Sequence, residues 1–310
     1  MIKLLTYNTY IRPPGITARG NDYKRERLNQ LIDRIDEFDV ITFQELFGSL
    51  SSKRKEFLKK AKLKFFNYVC LKKDCFLMNG HFIDGGLCIL SKYPIVDSSQ
   101  WIYTHSTSYD SLSAKGVLYA KIQIENQYIN VFTTHFQADY AGNTIKTARV
   151  RETQINELIL FIKKIIAQNP GYSVLCGDLN IPYHEQVQYA TFIQKFQNNG
   201  LVLIDYDQEH LPTYGKTNEQ DELLDTIITS TNPHPINECL DYIFEIQNND
   251  DDISDSSESI EIEMNNINTS DRVQHEAVQV QPFPSNNDLF PFLSDHYGLS
   301  VNFRFEQNEE

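Results

Sequence analysis

Eight polar residues stand where strand-forming runs end: Asn8, Glu45, His135, Asp178, Asn180, Asp241, Asp295 and His296. The sharpest pair lies in Y-S-V-L-C-G-D-L-N-I-P, from Tyr172 to Pro182. Its apolar, β-branched-rich start is the pattern of a strand buried on both faces, and the run stops at Gly177. Asp178 and Asn180 are therefore expected at the strand's C-terminal mouth, where open sheets place ligand groups, and two residues apart they point the same way. Taken alone, the pair reads equally well as a turn, because Asp and Asn are turn formers. Glu45 follows a second apolar run in F-Q-E. A carboxylate there does little for a fold and suits a hard cation such as Mg²⁺, which takes one or two carboxylates and keeps several waters. His135 ends a third run in T-T-H-F-Q-A, Asp241 sits in L-D-Y-I-F, and Asp295-His296 precede an alternating final strand. Each alone reads as a hydrogen-bonded strand end. Together they offer a metal carboxylate, a general base and several groups able to face phosphate, which is the kit for metal-assisted hydrolysis of a phosphoester.

The elements that must position these residues follow from periodicity. Strands are predicted over 2–7, 39–43, 86–91, 101–104, 116–125, 128–135 and 240–246, with 116–125 and 128–135 joined as a hairpin around Asn126 and Gln127. Leu28, Leu31, Ile32 and Ile35 recur at helical spacing, and Ile155, Leu158, Ile159, Ile162, Ile165 and Ile166 form one apolar stripe ended by Asn169-Pro170-Gly171. A further helix is predicted near 184–197 and a loop over 11–21; an irregular segment is predicted over 206–237. Strand-rich halves joined by long helices predict two packed sheets with helices outside. From 248 to about 274 the chain is acidic and lacks core-forming residues, so a disordered insertion inside one domain spanning 1–310 is expected. Phe283, Leu289, Phe290 and Phe292 crowd the segment before His296, interrupted by Pro282, Pro284 and Pro291. They are expected either to form an apolar loop that dips into a lipid interface or to pack beneath that loop.

Composition narrows the partners. The formal charge of −14 and a pI near 5.0 oppose a surface built to neutralise a phosphate backbone, so nucleic acid is not expected. The longest apolar stretches are strand-length, and no basic, apolar leader precedes the first strand. A protein that is cytoplasmic or peripheral at a membrane surface is expected, export requiring a leader removed beforehand; a monomer is expected. Of the five cysteines, Cys88 and Cys176 fall in apolar strand patterns and read as core residues, whereas Cys70 and Cys75 could bridge a loop. Asn268-Thr269-Ser270 is a glycosylation motif, useful only in a secreted protein.

The ordered set T-Y-N, F-Q-E, T-T-H-F, C-G-D-L-N, L-D-Y-I-F and S-D-H resembles the endonuclease/exonuclease/phosphatase superfamily of DNase I and abasic-site endonucleases, over nearly the whole chain except the acidic insertion. Within it, D-G-G-L-C-I-L-S-K-Y-P-I, A-K-G-V-L-Y-A, F-T-T-H-F-Q-A-D-Y and R-V-R-E-T-Q are similar to neutral sphingomyelinases. The resemblance implies a DNase I-like α/β fold, a four-layer α/β/β/α sandwich, and a Mg²⁺-dependent phosphodiesterase of phospholipase C type that cleaves sphingomyelin, or a related phospholipid at a membrane surface, to ceramide and phosphocholine. It also implies roles. Glu45, helped by Asn8, holds Mg²⁺, with Mn²⁺ or Co²⁺ as substitutes. His296 is the general base, oriented by Asp241 or alternatively by Asp295. Asp178 positions water or assists the leaving group, Asn180 and His135 donate to phosphoryl oxygens, and Lys115 adds a substrate contact. Phosphoinositide phosphatases fit less well, because no Arg follows G-D-L-N and no P-A-W-C-D-R-I block is present; DNA nucleases would need the missing basic face. A binding module that had lost catalysis would be expected to have lost some of these residues.

Overall fold

A computed structural model describes residues 1–16, 22–64, 66–72, 81–140, 144–215, 238–248 and 273–305. In its first half, β1 (Ile2–Ile11), α1 (Lys24–Leu31), β2 (Val40–Leu46), α2 (Lys53–Leu63), β3 (Asn67–Cys70), β4 (Ile83–Asp84), β5 (Cys88–Ser91) and β6 (Ile95–Ile102) follow one another. Then come β7 (Ser113–Ala114), β8 (Gly116–Ile124), β9 (Gln127–His135), α3 (Thr144–Gln168), β10 (Tyr172–Asp178), α4 (Gln186–Gln197), β11 (Leu201–Asp205) and β12 (Asp241–Asn248). The chain closes with β13 (Val273–His275), β14 (Gln279–Gln281), β15 (Pro284–Asn287), β16 (Phe290–Phe292) and β17 (Gly298–Phe305).

Two large sheets form. One runs β13-β17-β1-β2-β5-β3, with β14 also on β17; the other runs β11-β12-β10-β9-β8-β6. Each has one parallel pair, β1 with β2 and β9 with β10, and each parallel crossover carries a helix, as parallel neighbours require. Alternation along the strands builds the layers. Leu4, Val40, Val131, Val174, Ile243 and Val301 meet between the sheets. Their sequence neighbours face outward: Leu5, Ile41 and Phe43 pack toward α1 and α2, while Phe132, Leu175 and Phe244 pack toward α3 and α4. The result is a four-layer α/β/β/α sandwich, as expected. The α3 stripe is fully realised, with Ile155, Leu158, Ile159, Ile162, Ile165 and Ile166 all buried. Each such side chain contributes about 1.5–3 kcal/mol, which holds the helix layer to its sheet.

Some elements differ from expectation. The first helix stops at Leu31 and continues as a short 3₁₀ turn at Ile35–Glu37. The helix α2 was not anticipated, because only Phe57, Leu58 and Ala61 of K-R-K-E-F-L-K-K-A-K-L are buried and its charges face solvent. The apolar segment before His296 is a β15–β16 hairpin. Phe283 and Phe290 are buried in the outer core beside α1, Phe290 completely, so they pack beneath the segment and do not dip into lipid; Leu289 at the turn is half exposed. The acidic insertion, apart from its end residues Asn248, Val273 and Gln274, lies outside the described residues, as do Cys75, the Asn268 motif and most of the segment 206–237 from residue 216 on. No described helix is long and apolar enough to cross a membrane.

Candidate active site

Along the inward faces of both sheets the side chains change from apolar to polar toward one end of the sandwich. β1 runs Leu4, Thr6, Asn8; β2 runs Val40, Thr42, Gln44; β9 runs Val131, Thr133, His135; β10 runs Val174, Cys176, Asp178, every one of them buried. This is the period of two carried past the end of the apolar core. Gln44 Nε2 donates to Thr6 Oγ1 at 3.1 Å and to Thr133 Oγ1 at 3.0 Å, tying one sheet to the other beneath the site. Strand register then aligns the acids and bases: Asp178 pairs with His135 on one side and with Asp241 on the other.

Glu45 and Asn180 escape the alternation. Both have left-handed backbones, at φ 54 and φ 50, and Tyr10 does too, at φ 52. The β1–β2 register shifts between Asn8 and Ile11, next to Glu45, so the kink re-aims a side chain that strict pleating would send to the helix side. Two glycines allow close backbone approach around the site, Gly86 against the kink at Glu45 and Gly177 against β9. A Cβ on Gly86 would lie 3.0 Å from the Glu45 Cα, and one on Gly177 would lie 2.1 Å from the Thr134 carbonyl oxygen. Asp84 fixes the loop opposite: it accepts from the Ser49 amide and hydroxyl at 2.7 Å each, from the Gly86 amide at 3.0 Å and from Arg54 Nη1 at 2.8 Å.

The expected residues converge. Asn8 Nδ2 donates to Asp178 Oδ2 at 2.9 Å and reaches Glu45 Oε1 at 3.5 Å, while its side-chain Oδ1 accepts the Tyr10 amide at 3.1 Å. His296 Nδ1 bonds Asp241 Oδ2 at 2.8 Å, and its Nε2 lies 3.7 Å from Asp178 Oδ2. The partner left open by the sequence is thus Asp241. Asp295 instead takes Ser294 Oγ at 3.3 Å. His135 Nε2 lies 3.5 Å from Asp178 Oδ2. Asn180 Nδ2 and Lys115 Nζ both donate to the Phe136 carbonyl, at 3.1 and 2.6 Å, and Lys115 also pairs with Asp110 at 3.2 Å.

Burial and charge set the protonation states. Burial pushes Asp178 up to about 7, opposed by His296, and lifts Asp295 to about 6. Burial alone would lower His296, but the charge and hydrogen bond of Asp241, with Asp178 and Asp295, raise it to about 10. His135 is held well below its ordinary range by burial, then by Lys115 and His296, so it is a neutral imidazole with one N–H to give. Of two supporting residues, Thr213 gave no signal in the sequence, and Ser294 was met only as the first residue of S-D-H, with no role of its own. Thr213 donates to Asp241 Oδ2 at 2.7 Å while accepting the Leu240 and Asp241 amides, and Ser294 Oγ donates to the Asn8 carbonyl at 2.7 Å.

The donors suit a hard divalent cation, being carboxylates, an amide and an imidazole with no thiolate. Glu45 Oε2 and Asp241 Oδ1 are buried and accept no hydrogen bond among the described residues. Asp178, Asp241 and His296 also bring one donor atom each within 4.8 Å of one another. However, the Asp241 oxygen that faces His296 is already taken by His296 and Thr213, which suits that pair to proton handling and leaves Glu45 the freer ligand.

A sequence profile described as the Endonuclease/Exonuclease/phosphatase family matches residues 5–296. A sphingomyelinase of Dictyostelium discoideum is 28% identical, covering 97% of this chain and 98% of that protein. Sphingomyelinase C of Bacillus cereus is 27% identical over 78% of this chain and 74% of its own length. The solved structure of a beta toxin mutant from Staphylococcus aureus, with bound magnesium ions, superposes with a TM-score of 0.66 at 22% identity, covering 97% of this chain and 98% of the toxin.

Proposed function

Because the chain belongs to the endonuclease/exonuclease/phosphatase family, we propose that it is a metal-dependent sphingomyelin phosphodiesterase, releasing ceramide and phosphocholine, with the whole chain acting as one catalytic domain around its acidic insertion. The observation that carries this reading is the buried His296–Asp241 pair at 2.8 Å, beside Asp178, together with Glu45, whose second oxygen is buried and accepts no hydrogen bond among the described residues. Similarity to sphingomyelinases over nearly the full chain supports the substrate.

Glu45, held by Asn8, is the ligand of a divalent cation, Mg²⁺ in the first instance. A cation held there would supply charge neutralisation for the phosphoryl transfer and would offset the carboxylates that favour a protonated His296. His296 presents Nε2 to the reacting water and takes its proton as general base, with Asp241 fixing the tautomer through Nδ1. Asp178 touches Asn8 and lies beside both imidazoles, so it orients the water and is placed to return a proton to the leaving alkoxide. His135, neutral, and Asn180 donate to non-bridging oxygens, and Lys115 holds the Phe136 carbonyl while adding positive charge behind them. A zwitterionic head group tolerates a −14 protein far better than a DNA duplex does.

The test uses choline-labelled sphingomyelin vesicles and an abasic duplex with one preparation, with and without chelator, and His296→Ala as control. Mg²⁺-dependent phosphocholine release that His296→Ala abolishes is expected. DNA cleavage without phosphocholine release would overturn the substrate, and no His296-dependent hydrolysis of either would overturn the chemistry.

A further inference from the structure

Away from this site, at the edge of the sheet that carries Glu45, two thiols meet. Cys70 ends β3 and Cys88 begins β5; they are directly opposite in the antiparallel pairing, and their sulfurs lie 3.1 Å apart. The adjacent pair is joined by a hydrogen bond from the Leu71 amide to the Leu87 carbonyl at 3.0 Å. Antiparallel pairs alternate, so Cys70 and Cys88 form the non-hydrogen-bonded kind, with Cα atoms about 4.5 Å apart and side chains close. That separation falls within the span a disulfide bridges. Both residues are free thiols.

The two differ in access. Cys88 is fully buried, whereas Cys70 is half-buried and lines an open groove of about 710 Å³ together with Arg54, Lys55 and Lys72. The acid lining the groove, Asp84, is ion-paired to Arg54 at 2.8 Å, so the net surroundings of Cys70 are cationic. The hydrogen bond with Cys88 and the nearby Arg54 hold the Cys70 thiol below its ordinary range, while burial pushes Cys88 above it. A thiolate forms and attacks most readily in an electropositive, partly exposed position.

We propose that Cys70 and Cys88 are a redox modification site that closes to a reversible disulfide, with a small anionic disulfide of the oxidised glutathione class as oxidant. The Cys70 thiolate attacks one sulfur of the small disulfide, forming a mixed disulfide and releasing one small thiolate. Cys88 then loses its proton and attacks the Cys70 sulfur, displacing the second small thiolate. Two protein thiols are oxidised by two electrons, and one small disulfide is reduced to two thiols. The inference is independent of the phosphodiesterase reading. Its consequence is mechanical: among the described strands β3 is outermost in its sheet and pairs with β5 alone, and Cys88 stands opposite Phe43, two residues before Glu45 on β2. The bond staples the outer edge of the sheet that holds Glu45.

The test uses the full chain with Cys75→Ser, which removes the competitor nearest in sequence, equilibrated with oxidised or reduced glutathione at mildly alkaline pH. Expected are loss of two free thiols, a peptide cross-link between Cys70 and Cys88 by mass spectrometry, and a rise of about 5 °C in unfolding midpoint, as closing a loop of this length predicts. Dithiothreitol should reverse all three, and adding Cys70→Ser should prevent them. A lasting glutathione adduct on Cys70 with Cys88 still free, a bond between other cysteines, an unreactive pair, or a cross-link with no thermal gain would overturn the proposal.

Discussion

Replacing Asp241 with Asn keeps the shape of the side chain that orients His296 and removes its charge. Asp241 is the strongest of the influences that raise His296, ahead of Asp178 and Asp295, and together they lift the imidazole from 6.5 to about 10 against burial. At about 1.36 kcal/mol per pH unit, that lift corresponds to on the order of 5 kcal/mol favouring the imidazolium. If Asp241 supplies half or more, the variant's imidazole should titrate about two units lower, near 8. An NMR titration of the His296 ring in metal-free protein reads this directly. The same substitution has a stability signature whose sign is fixed. A histidine raised in the folded state contributes stability that is fully present below its unfolded pKa of about 6.5 and is lost as pH rises through about 10. Wild type should therefore exceed Asp241→Asn by a few kcal/mol in urea unfolding at about pH 6, and the difference should shrink toward zero at about pH 10.5. Turnover should fall by roughly 10³–10⁴, because an Asn can present an N–H to Nδ1 and favour the wrong tautomer. A shift of His296 by less than about one unit, or a stability difference independent of pH, would refute the dyad.

Glu45→Gln should reduce Mg²⁺-dependent turnover by about 10³ or more and remove the Mg²⁺-induced rise in unfolding midpoint while leaving the circular dichroism spectrum unchanged; an unchanged response to Mg²⁺ would exclude the ligand role. Asn180→Ala should lower kcat by about 10²–10³ with little change in KM, the effect of removing one donor to developing charge, and a loss confined to KM would contradict it. Phe290→Ala, at a fully buried position, should cost about 3–5 kcal/mol in unfolding and leave vesicle binding intact, whereas Leu289→Asp, at the exposed turn, should leave stability within about 0.5 kcal/mol and weaken vesicle binding. The reverse pattern would return Phe290 to the lipid-facing role, one of the two that its sequence context leaves open.

That last pair shows where sequence reasoning stops. Phe283, Phe290 and Phe292 between prolines carry no period that distinguishes a lipid-facing loop from a packed hairpin, and for Phe283 and Phe290 the outer core beside Leu28 and Leu31 decides it. The helix α2 was hidden for the opposite reason: three buried residues in eleven leave a segment that reads as charged surface. The strands and α3 were legible because two faces or a full stripe of each are buried, which fixes the residue type at nearly every position. The site residues were legible on the same ground. Asn8, His135 and Asp178 continue the inward faces of buried strands, so a polar type at those places has no packing explanation. What the linear order does not carry is the second ring of contacts. Thr213 reaches Asp241 across 28 positions, and Ser294 reaches the Asn8 carbonyl across 286. Nor does Thr213, in a segment read as irregular, differ from an ordinary loop residue, and S-D-H shows that Ser294 is there without showing what it holds.

Asp178 sits at the centre of that geometry, and its environment explains why the site is built from so many acids. It takes one hydrogen bond from the Asn8 amide and another from the Asn180 backbone amide at 3.0 Å, while both imidazoles stand within 3.7 Å of its Oδ2. Burial pushes it up to about 7, so near neutrality it carries a proton part of the time, whereas His296, next to it, is held protonated. Two neighbouring groups with displaced affinities can pass a proton in either direction once the field around them changes. In the metal-free protein the negative charge of Asp241, with that of Asp178 and Asp295, favours a protonated His296. On the proposed assignment of roles, positive charge held by Glu45 would offset these acids and free His296 to act as a base, coupling activation of water to filling of the site. The measurable corollary is that His296 should titrate lower in the presence of Mg²⁺ than without it, and that Glu45→Gln should erase the difference. A His296 titration indifferent to Mg²⁺ would break the coupling while leaving the dyad standing.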